Sequence, residues 1–192
     1  GRRIRQTISL MILTYRDDEI GVEHPLRTLL GDIASSHALH RVPVSALSEE
    51  AVHKLAKDRD VDPFELHRLT NGNPFFVTEA LDVESGIPET VRDAVLARAA
   101  RLSASAREVL EAAAVIGSKI EPWLLSQISG AEGAATNECI AKGMLQYQGE
   151  EYAFRHELAQ QTILETIPPE RRLALHRMIL SVLRESSETR ND

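Results

Sequence analysis

The side chains able to do chemistry in this chain are few, and their spacing excludes most enzyme classes. Four lysines, Lys54, Lys57, Lys119 and Lys142, could in principle neutralise a nucleotide phosphate, but none of them follows a glycine. The pattern G-x-x-x-x-G-K-[ST], whose freed backbone amides and lysine cradle phosphate, is therefore missing. G-x-S-x-G, H-E-x-x-H and paired C-x-x-C patterns are missing as well. The chain alone is not expected to hydrolyse ATP. His37 and His40, with no third ligand, read as solvated loop residues rather than as a zinc site. Asp17-Asp18, after an apolar run, stands where a strand-end acid would hold magnesium, but Thr14-Tyr15-Arg16 intervenes and weighs against it. The single cysteine, Cys139, sits at an apolar-looking helix position and reads as a buried core thiol, with no internal disulfide available to it.

The bulk properties narrow the field further. With 192 residues and 43% hydrophobic content, the chain can bury one ample core or two modest ones. A net charge of −7 argues against a large nucleic-acid surface, and 4% aromatics argue against a base-stacking platform. The apolar stretch Ile8 to Leu13 is far below the roughly 20 residues that span a bilayer, and no basic segment with a cleavage site precedes it. The expectation is a soluble, cytoplasmic protein without a membrane partner.

The elements that would position any site are well punctuated. Ile8 to Tyr15 is an apolar run of strand length, of the kind covered on both faces in a parallel sheet. A helix from Pro25 to Ala34 and a short β-like run, Arg41 to Val44, follow. Two strands and one helix cannot make a self-sufficient parallel sheet, so partner strands are expected upstream of Gly1 and the chain reads as a fragment. From Ser48 the pattern is helical. Ser48 caps a helix to about Lys57; Asp62-Pro63 starts a second that ends at Asn71-Gly72; Pro74 starts a third carrying Phe75, Phe76, Val77 and Leu81. Both phenylalanines read as core. Val83 to Pro88 is the expected link between subdomains. Helices are then predicted from Pro88 to Leu102, Ser103 to Ile116, Pro122 to Ile128 and Ala134 to Lys142. Met144 to Tyr147 and Tyr152 to Arg155 flank a turn with Gly149, a hairpin signal. Helices from His156 to Ile167 and Pro169 to Arg184 close the chain before a polar tail.

Three segments, in this order and spacing, resemble the STAND ATPases, especially the AAA-type modules of large LuxR-type and maltose-activator-like transcriptional regulators and of some bacterial cyclases and kinases. They are Leu10-Met11-Ile12-Leu13-Thr14-Tyr15-Arg16, Thr70-Asn71-Gly72-Asn73-Pro74-Phe75-Phe76 and Tyr152-Ala153-Phe154-Arg155-His156-Glu157-Leu158. Val91 to Arg98 and Ala112 to Gly117 also look like that family, so the resemblance runs from about Ile8 to Leu183. It implies that Arg16 senses the γ-phosphate, a role suited to a guanidinium that is always charged and bonds two phosphate oxygens. It implies that Gly72 and Pro74 belong to a G-x-P motif whose proline lies against the base, offering a rigid apolar face with no amide hydrogen. It places His156 in the histidine position of a Met-His-Asp motif, where it would contact the diphosphate, with Glu157 standing where the family has aspartate.

The fold class implied is mostly α with minor β. Residues 1–47 would be the remnant of a parallel α/β ATPase core, 48–85 a helical lid, 86–168 a winged-helix-like domain, and 169–192 a C-terminal helix and polar tail. Winged helices often read DNA, but Ser103 to Arg155 sets Arg107, Lys119, Lys142 and Arg155 against seven acids, so this wing reads as a clamp on the nucleotide. The expected cofactor is ATP or ADP with magnesium in a longer protein, a slow ATPase switch. The expected partners are an upstream phosphate-loop domain, downstream domains, DNA only through a region outside this chain, and another copy pairing with the opening strand. The rival readings are a winged-helix DNA-binding module and a helical interaction scaffold without nucleotide.

Overall fold

The computed structural model describes residues 12–16, 20, 24–34, 40–83, 86–131 and 133–189. Two compact units divide the chain, Gly1–Val44 and Ser45–Asp192.

In the first unit, helix α1 spans Pro25–Ala34. His24 starts it: its Nδ1 accepts from the Leu26 amide at 3.1 Å and its carbonyl from the Arg27 amide at 2.9 Å. Leu30 and Ile20 are buried, and Arg27 donates to the Ile20 carbonyl at 3.4 Å. The strands expected at Ile8 to Tyr15 and Arg41 to Val44 are not found: Ile12–Arg16 and Arg41–Val44 lie in neither strand nor helix, and Ile8–Met11 fall outside the described residues. Val42 and Val44 are 79% and 90% exposed. A β-branched run supplies only propensity; a strand is completed by a hydrogen-bonded neighbour, and among the described residues neither segment has one. Asp17, Asp18 and His37 also lie outside the described residues, and His40 is exposed.

The second unit opens with three short helices, α2 (Glu49–Leu55), α3 (Pro63–Thr70) and α4 (Pro74–Leu81). Each begins on a side-chain cap. Ser48 accepts from the Ala51 amide at 3.2 Å, Asp62 from Phe64 at 2.9 Å and Asn73 from Phe75 at 3.1 Å. Val52, Ala56, Leu66 and Val77 form a small core among them. Between α3 and α4 the chain reverses on two consecutive left-handed residues, Asn71 at φ 48° and Gly72 at φ 66°. The Gly72 carbonyl accepts from the Leu47 amide at 2.8 Å, and a Cβ on Gly72 would meet the Leu47 carbonyl oxygen at 2.2 Å. Only glycine fits there.

The larger core is built on α6 (Ala104–Ile116), packed against α7 (Pro122–Ser129), α8 (Gly133–Ala141), α9 (Glu157–Thr166) and α10 (Pro169–Thr189). Small residues allow this. Ala106, Ala112, Ala113 and Ala114 are buried, so neighbouring helices can approach a narrow stem. Helix α5 (Glu89–Ala99) contributes Val91 and Val95, and Phe76 of α4 belongs to the same core, so the segments either side of residues 83–88 share one interior. Strands β1 (Leu145–Gln148) and β2 (Glu151–Phe154) pair antiparallel, with Gln148 opposite Glu151 and Gly149 at φ 68° in the turn. A left-handed first turn residue is what a tight type II′ hairpin requires. Ile120 adds a bridge to Tyr152, its amide donating at 2.9 Å. No helix among the described residues is long and apolar enough to cross a membrane.

Cys139 is fully buried, with its thiol 3.2 Å from the Ala106 carbonyl; burial foremost, and the adjacent Glu138, push its pKa up to about 12. A thiol reagent at pH 8 should label it on the order of a thousandfold more slowly than in denaturant, since only thiolate reacts. Equal rates would mean that the α6–α8 interface is open. Gly72→Ala should lower stability by about 2 kcal/mol or more in urea unfolding, combining left-handed strain with the clash at Leu47. Gly149→Ala, with a similar φ but nothing within 4 Å of its added Cβ, should cost only about 1 kcal/mol.

Candidate functional site

The α3–α4 corner and the start of α9 meet, although more than eighty residues of chain separate them. Thr70, the last residue of α3, is wholly buried, and its hydroxyl donates back to the Leu66 carbonyl at 2.7 Å. A helix end leaves carbonyls without partners in the helix. Here the Thr70 carbonyl accepts from the Asn73 amide at 3.0 Å and from Nδ1 of His156 at 2.9 Å. The left-handed turn at Asn71 and Gly72 is what exposes that carbonyl to α9. Asn71 Nδ2 donates to the Arg155 carbonyl at 3.2 Å, a second tie between the same two segments.

His156 is the N-cap of α9, with an extended backbone, but its ring makes no cap bond. It is turned into the corner, 8% exposed, with Nε2 at 3.4 Å from Asn73 Nδ2 and the Phe76 ring edge-on at 4.8 Å. Beside it, Glu157 pairs with Arg68 of α3, and Arg68 forks onto Glu65 at 2.8 and 2.5 Å. Those hydrogen bonds hold the Glu65 carboxyl below its ordinary range and raise the Arg68 guanidinium above its own.

Of the residues singled out from sequence, Gly72, Pro74 and His156 gather at this corner. Gly72 is buried and makes the turn; Pro74 is exposed at the first position of α4. Arg16 belongs to the other unit, where it is exposed and outside any helix or strand. Phe76 packs in the core as expected, whereas Phe75 is 43% exposed at the foot of α4. Thr70, Asn71, Asn73 and Arg68 were not foreseen as members of the site. The signal for Asn73 was present, since asparagine before Pro74 is a strong cap, but nothing local pointed its other amide atom at His156.

What this arrangement can do follows from its chemistry. It joins an arginine fork already paired to two carboxylates, an exposed proline face, two asparagine amides and a buried imidazole at the junction of three helices. Among the described residues no group of three or more His, Cys, Asp or Glu side chains could hold a metal ion.

No family model matches the chain. No curated protein matches it either. Among solved structures it is similar to the Signal Transduction ATPase with Numerous Domains (STAND) protein with a tetratricopeptide repeat sensor from Pyrococcus horikoshii, at 20% identity and a TM-score of 0.44. That similarity covers 73% of this chain, which spans about a fifth, 22%, of the solved one.

The Glu65–Arg68 pair sets a pH dependence of known sign. Because the folded carboxyl titrates below its ordinary 4.5, its contribution is present above that pH and lost as pH falls through the lower folded value. Glu65→Gln should therefore be less stable than the parent at pH 7, by a deficit that shrinks as pH falls through the acid range. The exposed setting limits the difference to less than about 1 kcal/mol. A deficit that does not shrink as pH falls would assign the effect to something other than the charge.

Proposed function

We propose that this chain is the lid and winged-helix part of an ADP/ATP conformational switch of the STAND type, serving an ATP-dependent transcriptional regulator in the cytoplasm. The observation that carries the reading is the meeting of Gly72-Asn73-Pro74 with His156, the two segments whose sequence resembles the nucleotide-contacting motifs of that class. Local helix rules account for Gly72 and Pro74 separately; they do not account for a buried histidine docked against the same turn.

In this reading the order α6, α7, α8, β1, β2 is a winged helix, and it acts as a clamp rather than as a groove reader. Residues 48–85 form the lid, and Arg16 is the γ-phosphate sensor in the preceding α/β segment. Pro74, exposed at the start of α4, offers its ring to the adenine base. His156 fits a diphosphate through Nε2, whose contact with Asn73 is long at 3.4 Å and replaceable by a phosphate oxygen. The nucleotide supplies the charge that the closed form binds. The phosphate loop and magnesium belong to an upstream domain of a longer polypeptide, and DNA contact to a region outside this chain. Such a switch moves only by differential affinity for its open and closed forms.

The test is nucleotide binding by the polypeptide that joins this chain to a phosphate-binding loop. Arg16→Ala should weaken ATP about tenfold, the loss of roughly 1.4 kcal/mol from a charged hydrogen bond, while leaving ADP nearly unchanged. His156→Ala should weaken ADP by a similar factor. If both variants bind both nucleotides as the parent does, the sensor roles are wrong.

A further inference from the structure

Helix α10 carries two apolar stripes, and the core uses one of them. Leu175 is buried, Ile179 and Val182 are half-buried against the interior, and their i, i+4, i+7 spacing makes one face, the side that meets α6 and α7. A helix that only closed a core would be polar on its remaining sides. Instead Leu173, His176, Leu180 and Leu183 recur at i, i+3, i+7 and i+10 on a separate side. All four are exposed, Leu173 by 51% and Leu180 by 62%. Single exposed leucines need no explanation, but these stand at the a and d positions of consecutive heptads, the spacing that fits side chains into the holes of a second helix.

The flanks of this seam have one sign. Arg172 and Arg177 stand at the g and e positions beside it, both exposed, and between Leu173 and Leu183 no acid takes a flanking position. That pattern selects among occupants. A parallel second copy would set Arg172 of one chain against Arg177 of the other, twice by symmetry. An antiparallel copy pairing Leu173 with Leu183 and His176 with Leu180 would bring the two Arg177 side chains together beside the twofold axis. Either orientation opposes like charges, which is how helices are kept from pairing with themselves. An anionic bilayer would suit the arginines but would repel a chain of net charge −7. A helix flanked by carboxylates meets both the leucines and the arginines.

We propose that the Leu173–Leu183 face of α10 docks an amphipathic helix of another protein, apolar at its own a and d positions and flanked by Glu or Asp. The leucines supply the attraction and the arginines choose the partner. His176, a polar member of an otherwise apolar seam, fixes the register. This goes beyond the nucleotide reading and does not depend on it.

The test uses two synthetic helical peptides of about three heptads with leucine at every a and d position, one carrying Glu at e and g, its twin carrying Lys there. Followed by fluorescence anisotropy, the Glu peptide should bind this chain in equimolar ratio, about tenfold or more tighter than the Lys twin, and should weaken as salt rises. The net negative charge of the chain would by itself favour the Lys twin, so that preference reports the local flank. Leu180→Ser should abolish binding, and Arg172→Glu combined with Arg177→Glu should reverse the preference, a gain that a misfolded variant could not show. Equal binding of the two peptides, or none of the Glu peptide, overturns the proposal. Sedimentation showing a dimer that Leu180→Ser disperses overturns it in favour of a second copy. Leu180-dependent binding to phosphatidylserine vesicles overturns it in favour of a membrane.

Discussion

The second unit depends on one carbonyl. Thr70 ends α3, and the two left-handed residues after it turn the chain so that the Thr70 oxygen faces away from its own helix and toward α9. Once His156 occupies that oxygen, the remaining contacts fall into place. Asn73 can cap α4 and meet the other side of the imidazole, Asn71 can reach the Arg155 carbonyl, and Glu157 lies within reach of Arg68. Each is weak alone. Together they convert a turn between two short helices, marginal in isolation, into a fixed corner against a larger body.

The same corner explains why the small core and the large one are not independent. Val77 and Phe76 are neighbours on α4, yet Val77 packs among α2 and α3 while Phe76 enters the interior built on α6. A helix of this length has room for little else. Its two buried side chains point to different cores, and the exposed Phe75 and Pro74 occupy what remains of its first turn. Movement of α2–α4 as a rigid piece would withdraw Phe76 from the larger interior, so the corner and the core resist the same displacement.

Much of this was legible in the sequence where the rule is local. A helix over roughly Pro25 to Ala34 follows from the sequence, and the starts at Ser48, Asp62-Pro63, Pro74 and Ser103 are capping chemistry that needs no tertiary information. Gly149 marked the hairpin for the same reason. The failures are non-local. Arg41 to Val44 has strand propensity but no partner strand among the described residues, and nothing in the run itself reveals that. Ile120 reads as a loop residue and is a bridge to Tyr152. At the candidate site, the identity of Gly72, Pro74 and His156 was visible as types and spacing, whereas Thr70, Asn71 and Asn73 became members only through a contact that spans most of the chain. The glutamate at 157 departs from the family's aspartate, and in the structure it pairs with Arg68.

The alanine-rich stem of α6 has a consequence for how the protein is made. Its narrow face is covered on one side by α10, where Leu175 is buried. A ribosome adding roughly 5–20 residues each second delivers Leu175 several seconds after Ile116. During that interval the nascent stem lacks the α10 cover on that flank. Within the second unit the interior is closed by α10, the last of its described helices, so its cover is made only after the rest of that core.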